Sequence, residues 1–473
     1  MDVTEFRKRM DAHQLAKAVK AQRQYQLEGG LRDISERKKY LKILRDMLLK
    51  NEESITAALK TDLSKSESEV FLTETYIIYQ EIDYALKNID SWTKAKKVPP
   101  SLSNLPSRNT LHPEPYGVVA VLAPWNYPVN LTLAPIVGAL AAGNSVVLKG
   151  SRNSKYTSHL LVDLITTHFP PEVIYPVDPE IDYDTLLNQR YDYIFFTGST
   201  TAAKKVMAKA AENLTPVTME LGGRSPCIVH SDADIKLAAK RIAWGKFLNA
   251  GQTCISINHV WVHEDVENKF IKAILDEILL NYRYALQDPD YPKIISKNHF
   301  DRLSSLIDAA EVKPDGLVLG GERNEKDLKI APTIVAHADL GDQIMEKELF
   351  GPILPILKYQ SLDSLTHHLL EEEKPLACYF FTEDIPLAYE FMNRVSFGGG
   401  CINDVIMHIS NHHMPFGGVG NSGMGSYHGK YSFDTFTHYK PVVSTSTLMD
   451  LPFRYSHFAK KNLSLLRKIL LKP

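Results

Sequence analysis

The sequence predicts an α/β protein built from two open-sheet α/β domains, and three observations carry that prediction. At 473 residues and 53.3 kDa the chain exceeds what one ordinary hydrophobic core organises, so more than one domain is expected. Short apolar runs at 118–122, 145–148, 193–196 and 227–229 alternate with helical stretches, the pattern of a mostly parallel sheet with crossover helices. A second alternating region opens at Val260-Trp261-Val262 and runs to near residue 420, taking in 317–319 and 353–357. Two such domains leave a cleft between them.

The elements ahead of the first sheet read differently. Residues 34–98 are rich in charge and helix formers, with Leu41, Leu44, Met47 and Leu48 at helical spacing, which predicts long surface helices. Pro99-Pro100 and the Ser, Asn and Pro residues up to Pro106 break that pattern and read as a linker or an extended arm. Asp234 to Leu248 is a further expected helix, as is the stretch beginning near Leu131.

Composition narrows the function classes. Hydrophobic content of 44% and charged content of 23% are those of a soluble globular protein. A net charge of −2 gives no sign of a nucleic-acid partner. The four cysteines, Cys227, Cys254, Cys378 and Cys401, form no CxxC pair and no metal-ligand spacing, so a reducing compartment and a free thiol are expected. The opening Met1–Arg7 is charged, and no run approaches the roughly 18 apolar residues of a membrane span. A cytoplasmic protein is the expectation.

The chemistry concentrates in two motifs. Asn249-Ala250-Gly251-Gln252-Thr253-Cys254 sets one cysteine on small, flexible backbone just after a helix, where a substrate and backbone N–H donors can approach it. Glu220 lies 34 residues earlier, beside the Leu221-Gly222-Gly223 turn that frees space around it, and suits a general base. The pair suggests a covalent acyl enzyme. The competing readings are an ordinary buried cysteine and a carboxylate in a salt bridge.

Other loops fit around them. Ala123-Pro124-Trp125-Asn126 follows an apolar strand, where active-site loops of open α/β sheets sit, and the Asn126 amide suits an oxyanion. Lys149 ends one strand, and Thr197-Gly198-Ser199 ends another, both at places where a ribose or phosphate meets strand ends and helix N-termini. Gly398-Gly399-Gly400 and the glycines between Gly417 and Gly423 read equally as tight turns or as backbone lining a substrate mouth.

In this order and over nearly the whole chain, these blocks resemble the aldehyde dehydrogenase superfamily. The closest likeness is to its class 3 and fatty aldehyde branch, through the run from Pro415 to Lys430, Leu214–Thr218 and Arg241–Phe247. The resemblance implies NAD- or NADP-dependent aldehyde oxidation. Cys254 forms a thiohemiacetal and then a thioester, Asn126 and the Cys254 N–H hold the oxyanion, and Glu220 activates water. Glu348 and Phe350 match positions at the nicotinamide ribose and ring, and Lys149 matches a lysine at the adenosine ribose. Thr197, Gly198, Ser199, Leu221 and Gly222 complete the implied cofactor set. The implied layout is a Rossmann-like cofactor domain over 1–98 and 116–223, and a catalytic domain over 224–424. A small bridging sheet from 99–115 and 425–445 and a tail over 446–473 complete it, with a homodimer as the assembly.

The departures from the family pattern cluster at the adenosine end. Arg152 stands where the family carries a glutamate that accepts from the ribose hydroxyls; an arginine has no acceptor but pairs with a 2′-phosphate. Val177-Asp178 replaces a Gly-Gly pair, and Ala203 replaces a glycine. The expectation is either a shift toward NADP or weak dinucleotide binding, with Arg152 swinging into solvent as the alternative. Ile257-Asn258 replaces Pro-Asp and reads as drift on the substrate side.

The branch implies medium- or long-chain aliphatic aldehydes, or aromatic ones. His408, His412 and His413 flank the expected substrate entrance, with no acidic partners spaced for a metal, so none is expected. From Leu451 to Pro473 there are six basic residues, from Arg454 to Lys472, and no acidic one. Leu463, Leu466 and Leu470 share a helical face there. Such a helix suits peripheral contact with an anionic membrane, or packing on the body or on a partner subunit. Two rival functions remain: a thiol esterase needing no cofactor, and a non-catalytic protein with a decayed dinucleotide site.

Overall fold

The structure, a computed structural model, describes residues 12–313 and 316–471. The charged opening Met1–Arg7 and the basic Lys472 therefore lie outside the described residues.

The N-terminal region is helical, as its pattern predicts, but broken into pieces at Ala12–Leu27, Ile34–Lys50, Glu52–Leu63 and Tyr76–Trp92. Asp33 starts the second of these by accepting from the Ser35 N–H at 2.8 Å. Leu41, Leu44, Met47 and Leu48 are wholly buried, so these helices carry core instead of merely coating the surface. Ile34–Lys50 and Tyr76–Trp92 pack against helix Asn130–Ala142, whose every residue is buried; a helix apolar all round is a core element.

Behind that helix lies a six-stranded sheet in the order Gly423–Met424, Val217–Glu220, Tyr193–Thr197, Val118–Leu122, Ser145–Lys149 and Ile174–Pro176. All its pairings are parallel except that of the first, edge strand. Its central strands are buried at every position, which is why they read as unbroken apolar runs. A seven-stranded sheet runs Leu317–Leu319, Thr333–Ala336, Ile353–Tyr359, His259–His263, Pro226–Val229, Ala377–Phe381 and Gly399–Ile402. It too is parallel but for its first pairing.

A three-stranded antiparallel sheet joins Lys96–Val98, Ser107–Pro115 and Thr437–Thr445. Two segments sit differently from a simple division of the sequence. The chain returns late to the first sheet, with Gly423 opposite Glu220. After it, Lys430–Thr435 is a helix whose Ser432 presses on Gly138, where a Cβ would come within 2.6 Å of the Ser432 Cβ. Only Thr437–Thr445 of the 425–445 stretch is a strand of the small sheet.

The tail forms helices Ser456–Lys461 and Leu463–Leu470, neither of which buries a residue. Leu463, Leu465, Ile469 and Leu470 are each about half exposed, so among the described residues much of the apolar face stays open. Among the described residues no helix is long and apolar enough to cross a membrane.

Candidate active site

Helix Ile235–Phe247, capped by Asp234 accepting from the Leu237 N–H at 3.0 Å, ends in an unusual turn. Asn249, Ala250 and Gly251 all lie in the left-handed region, at φ 50°, 49° and 72°. Such backbone persists only where its surroundings fix it. Here the Asn249 N–H donates to Glu69 Oε1 at 3.0 Å, and the Asn249 amide donates to Asn126 O at 2.9 Å. Gln252 Nε2 donates to Lys293 O at 3.0 Å. A Cβ on Gly251 would fall 2.3 Å from Gly351 O, so the turn needs glycine twice over. Gly251→Ala is expected to destabilise the protein by about 1–3 kcal/mol or more, read as a lowered melting temperature, with kcat falling alongside it. An unchanged melting curve would contradict this account.

The turn delivers Cys254 to the meeting of two cavities, both of which it lines together with Leu131. One, of about 330 Å³, is lined by Asn126, Thr197, Gly198, Ser199, Glu220, Leu221, Gly222, Glu348 and Phe350 as well as Cys254. Ten of the twelve candidate residues thus share one cleft, although they come from five separate stretches of chain. Lys149 and Arg152 do not line it. The Lys149 ammonium donates to Pro179 O at 2.9 Å and Gly150 O at 3.2 Å, under the Tyr183 ring, and burial lowers it to about 8. Arg152 is exposed nearby.

The electrostatics of the cleft are those of desolvated acids. Both carboxyl oxygens of Glu220 are buried without a hydrogen-bond partner, and burial pushes this group well above the usual carboxylate range. Burial also raises Glu348 to about 7, against the Gly223 N–H, which donates to Glu348 Oε1 at 3.3 Å. The Cys254 thiol is pushed up to about 12, first by burial and then by the Glu348 and Glu220 charges. The Asn126 amide donates to Gln252 O at 3.0 Å, and its second N–H remains for a ligand. Tyr127 Oη and Thr253 Oγ1, 2.6 Å apart, tie this loop to the cysteine loop.

The other cavity, of about 290 Å³, is a channel walled by apolar and aromatic side chains, among them Leu72, Tyr76, Tyr127, Trp244, Ile406 and Phe416. His412 lines it. His413 instead faces Tyr84, with Nδ1 3.2 Å from Tyr84 Oη, and His408 stacks on Phe416 with Nδ1 3.7 Å from Cys401 Sγ. Of the glycine-dense segments, none contributes a residue to the channel wall. Gly398, Gly400, Gly417 and Gly418 each meet backbone within 2.4 Å of a would-be Cβ, so tight packing explains them.

Two residues that hold the site escaped the sequence reading. His299 and Arg302, on helix Lys297–Glu311, line the polar cleft, and both hold the loop that presents Glu348. His299 Nε2 donates to Phe350 O at 2.8 Å, and Arg302 donates to Leu349 O. No local spacing marks them, because their partners lie about fifty residues away in sequence. Asn258 is a correction: its Oδ1 accepts from the Leu349 N–H at 2.9 Å, so it steadies the Glu348 loop and does not belong to the substrate side.

A thiol and a desolvated carboxyl group share one cleft beside an apolar channel, an arrangement that can support covalent acyl chemistry. The family model described as Aldehyde dehydrogenase family matches residues 3–442. The 4,4'-diaponeurosporen-aldehyde dehydrogenase of Staphylococcus aureus is 43% identical over 89% of this chain and 91% of its own. Aldehyde dehydrogenase family 3 member A2 of Pongo abelii is 39% identical over 90% and 88%. The solved substrate-bound state of Staphylococcus aureus AldH superposes with a TM-score of 0.90 at 39% identity, covering 95% of this chain and 99% of that one. The chain belongs to the aldehyde dehydrogenase family. It is an NAD(P)-dependent enzyme that oxidises aldehydes.

The residues of the polar cleft fit such a dinucleotide. Gly222 leaves open the space in which a Cβ would lie 2.6 Å from both Glu348 oxygens. Thr197 Oγ1 is buried without a partner, and helix Thr200–Ala211 opens just beyond it, capped by Ser199.

Proposed function

We propose that the enzyme oxidises medium- or long-chain aliphatic or aromatic aldehydes by covalent catalysis on Cys254, with Glu220 as general base. The observation that carries this reading is the place of Cys254, where the apolar channel meets the polar cleft. An aldehyde entering by the channel presents its carbonyl to Cys254, which, once its thiol proton has left, adds as the thiolate to give a thiohemiacetal oxyanion. The free N–H of the Asn126 amide and the Cys254 backbone N–H receive the oxyanion; one such donor is worth about 3–4 kcal/mol. The thiohemiacetal carbon becomes a thioester by losing hydride, for which a bound dinucleotide would supply the acceptor. Water then attacks the thioester carbonyl while Glu220 takes its proton, the acid leaves, and Cys254 is restored. Glu348 and Phe350 would hold the nicotinamide ribose and ring, with Thr197, Gly198, Ser199, Leu221 and Gly222 beside the phosphates and Lys149 and Arg152 toward the adenosine.

The test is to mix the purified protein with a medium-chain aldehyde and either NAD or NADP, and to follow reduced-nicotinamide absorbance. Turnover with one or both supports the proposal. Ester hydrolysis without any aldehyde oxidation would overturn it in favour of the cofactor-free thiol esterase.

Arg152 is proposed to read the 2′-phosphate of NADP, because it is exposed beside Lys149 and carries no acceptor for ribose hydroxyls. Arg152→Glu is expected to weaken NADP and strengthen NAD binding in a titration; no change in either removes the idea. The domain roles proposed are dinucleotide binding by the six-stranded sheet and its helices, and catalysis by the seven-stranded one. The three-stranded sheet, whose strand Thr437–Thr445 is largely exposed, is the proposed seam of a homodimer.

A cytoplasmic location is supported by four free cysteines. Within it, the tail is proposed to contact anionic membrane surfaces. Its apolar face is about half exposed, and Lys460, Lys461, Arg467 and Lys468 flank it. Full-length protein is expected to cosediment with anionic liposomes and a form ending at Asp450 to remain in solution. Equal sedimentation of the two excludes the tail as the contact.

A further inference from the structure

One segment, residues 65–75, runs beneath both halves of the oxyanion site and takes no part in the chemistry above. Lys65 and Glu74 are fully buried and paired at 2.7 Å. A buried ion pair contributes little net stability against apolar residues of the same size, so its presence calls for another use. Each partner here has a second engagement, and both lie in the same active-site loop. Lys65 Nζ donates to Asn126 O at 3.0 Å and sits 3.9 Å from the centre of the Tyr127 ring. Glu74 Oε2 accepts from the Val129 and Asn130 N–H groups at 3.1 and 2.9 Å, where helix Asn130–Ala142 begins. The loop that carries the Asn126 amide is therefore gripped at both ends by one ion pair.

The same segment holds the other donor. Glu69 Oε1 accepts from the Asn249 N–H at 3.0 Å, at the first residue of the left-handed run that sets the Cys254 backbone. The Asn249 amide closes the circuit on Asn126 O, the atom that Lys65 also contacts. Between Glu69 and Glu74 the helix passes into a π-helical turn, Phe71–Thr75, a feature that recurs at functional sites. Leu72 and Thr73 of that turn line the aldehyde channel, so the substrate rests on the same piece of backbone.

We propose that Lys65, Glu69 and Glu74 are positioning residues for the oxyanion site: they fix the Asn126 amide and the Cys254 N–H relative to each other. The proposal rests on the reading of those two groups as the oxyanion donors. They touch no substrate. Their work is geometric, and a displacement of about 1 Å in such a constellation costs on the order of 10²-fold in rate.

The experiment uses the full chain and begins with Asn126→Ala, which tests the oxyanion reading by itself. Glu69→Ala, which removes only the acceptor for Asn249, is expected to lower kcat by about 10- to 100-fold with little change in KM. The rate at which iodoacetamide alkylates Cys254 should not change, because that reaction needs no oxyanion donor. Glu69→Gln keeps an acceptor oxygen and should restore most of the loss. In an Asn126→Ala background Glu69→Ala should cost much less than it does alone. The pair Lys65→Met with Glu74→Gln removes both charges of the ion pair together and should show the same split of kcat from KM. A severe Asn126→Ala defect beside an unaffected Glu69→Ala variant would overturn the positioning role and leave the oxyanion reading standing. Losses that multiply fully, or that move KM and alkylation with kcat, would overturn it as well. An unimpaired Asn126→Ala variant would remove the oxyanion reading, and the positioning role with it.

Discussion

Cys254→Ala is expected to abolish aldehyde oxidation, with kcat falling by at least about 10⁴-fold, while the protein folds and still binds dinucleotide. The size of the effect follows from there being no substitute. Cys227 and Cys378 are wholly buried in the seven-stranded sheet, and burial raises both thiols. Cys401 sits beside His408 and lines neither cavity. A nucleophile cannot be supplied from these positions, so Cys401→Ala should retain activity and serves as the control. Alanine removes a single sulfur from a residue that is only partly buried, so the melting temperature should move little. Turnover near the wild-type rate in Cys254→Ala would show that the chemistry lies elsewhere. The thiol's elevation to about 12 adds a second expectation: alkylation of free enzyme should be slow at neutral pH and accelerate as pH rises.

Glu220→Gln should separate the two halves of the reaction. The amide matches the carboxyl group in size but cannot take a proton from water. One equivalent of reduced dinucleotide should therefore appear quickly, followed by a steady state slower by about 10²–10⁴-fold. The pH dependence follows from burial. Desolvation favours the neutral acid, so the group stays protonated to higher pH than an ordinary glutamic acid and becomes a base only as pH climbs. Where thioester hydrolysis limits the wild-type rate, kcat should be low in acid and rise through that elevated range. Glu220→Gln should lose this rise. A variant with a normal steady state, or with the wild-type pH profile, would exclude Glu220 as the base.

Much of the architecture is legible in the chain because burial on both faces leaves parallel strands no choice of residue. The runs at 118–122, 145–149 and 193–197 are apolar almost throughout and bounded by polar turns, and they are strands for that reason. The stretch 34–98 misleads in part. Its charged faces announce surface helices, while the fully buried stripe of Leu41, Leu44, Met47 and Leu48 shows its role only when helix Asn130–Ala142 lies against it. The same holds for Asn258, whose substitution is visible at once but whose partner, the Leu349 N–H, is not.

The sequence by itself determined the alternation of strands and helices, the single cysteine set on a glycine-bearing turn, and the glutamate beside Leu221-Gly222-Gly223. Each of these is a local property, written within a few consecutive residues by periodicity and turn chemistry. Only the tertiary structure decided that Cys254 stands where a channel meets a cleft, and that Glu220 has no hydrogen-bond partner. It alone placed His299 and Arg302 behind the Glu348 loop, and Lys65, Glu69 and Glu74 beneath the oxyanion donors. The physical reason is range. Burial and hydrogen-bond partnership arise between residues about fifty to two hundred positions apart, and no window of the sequence contains both ends of such a contact.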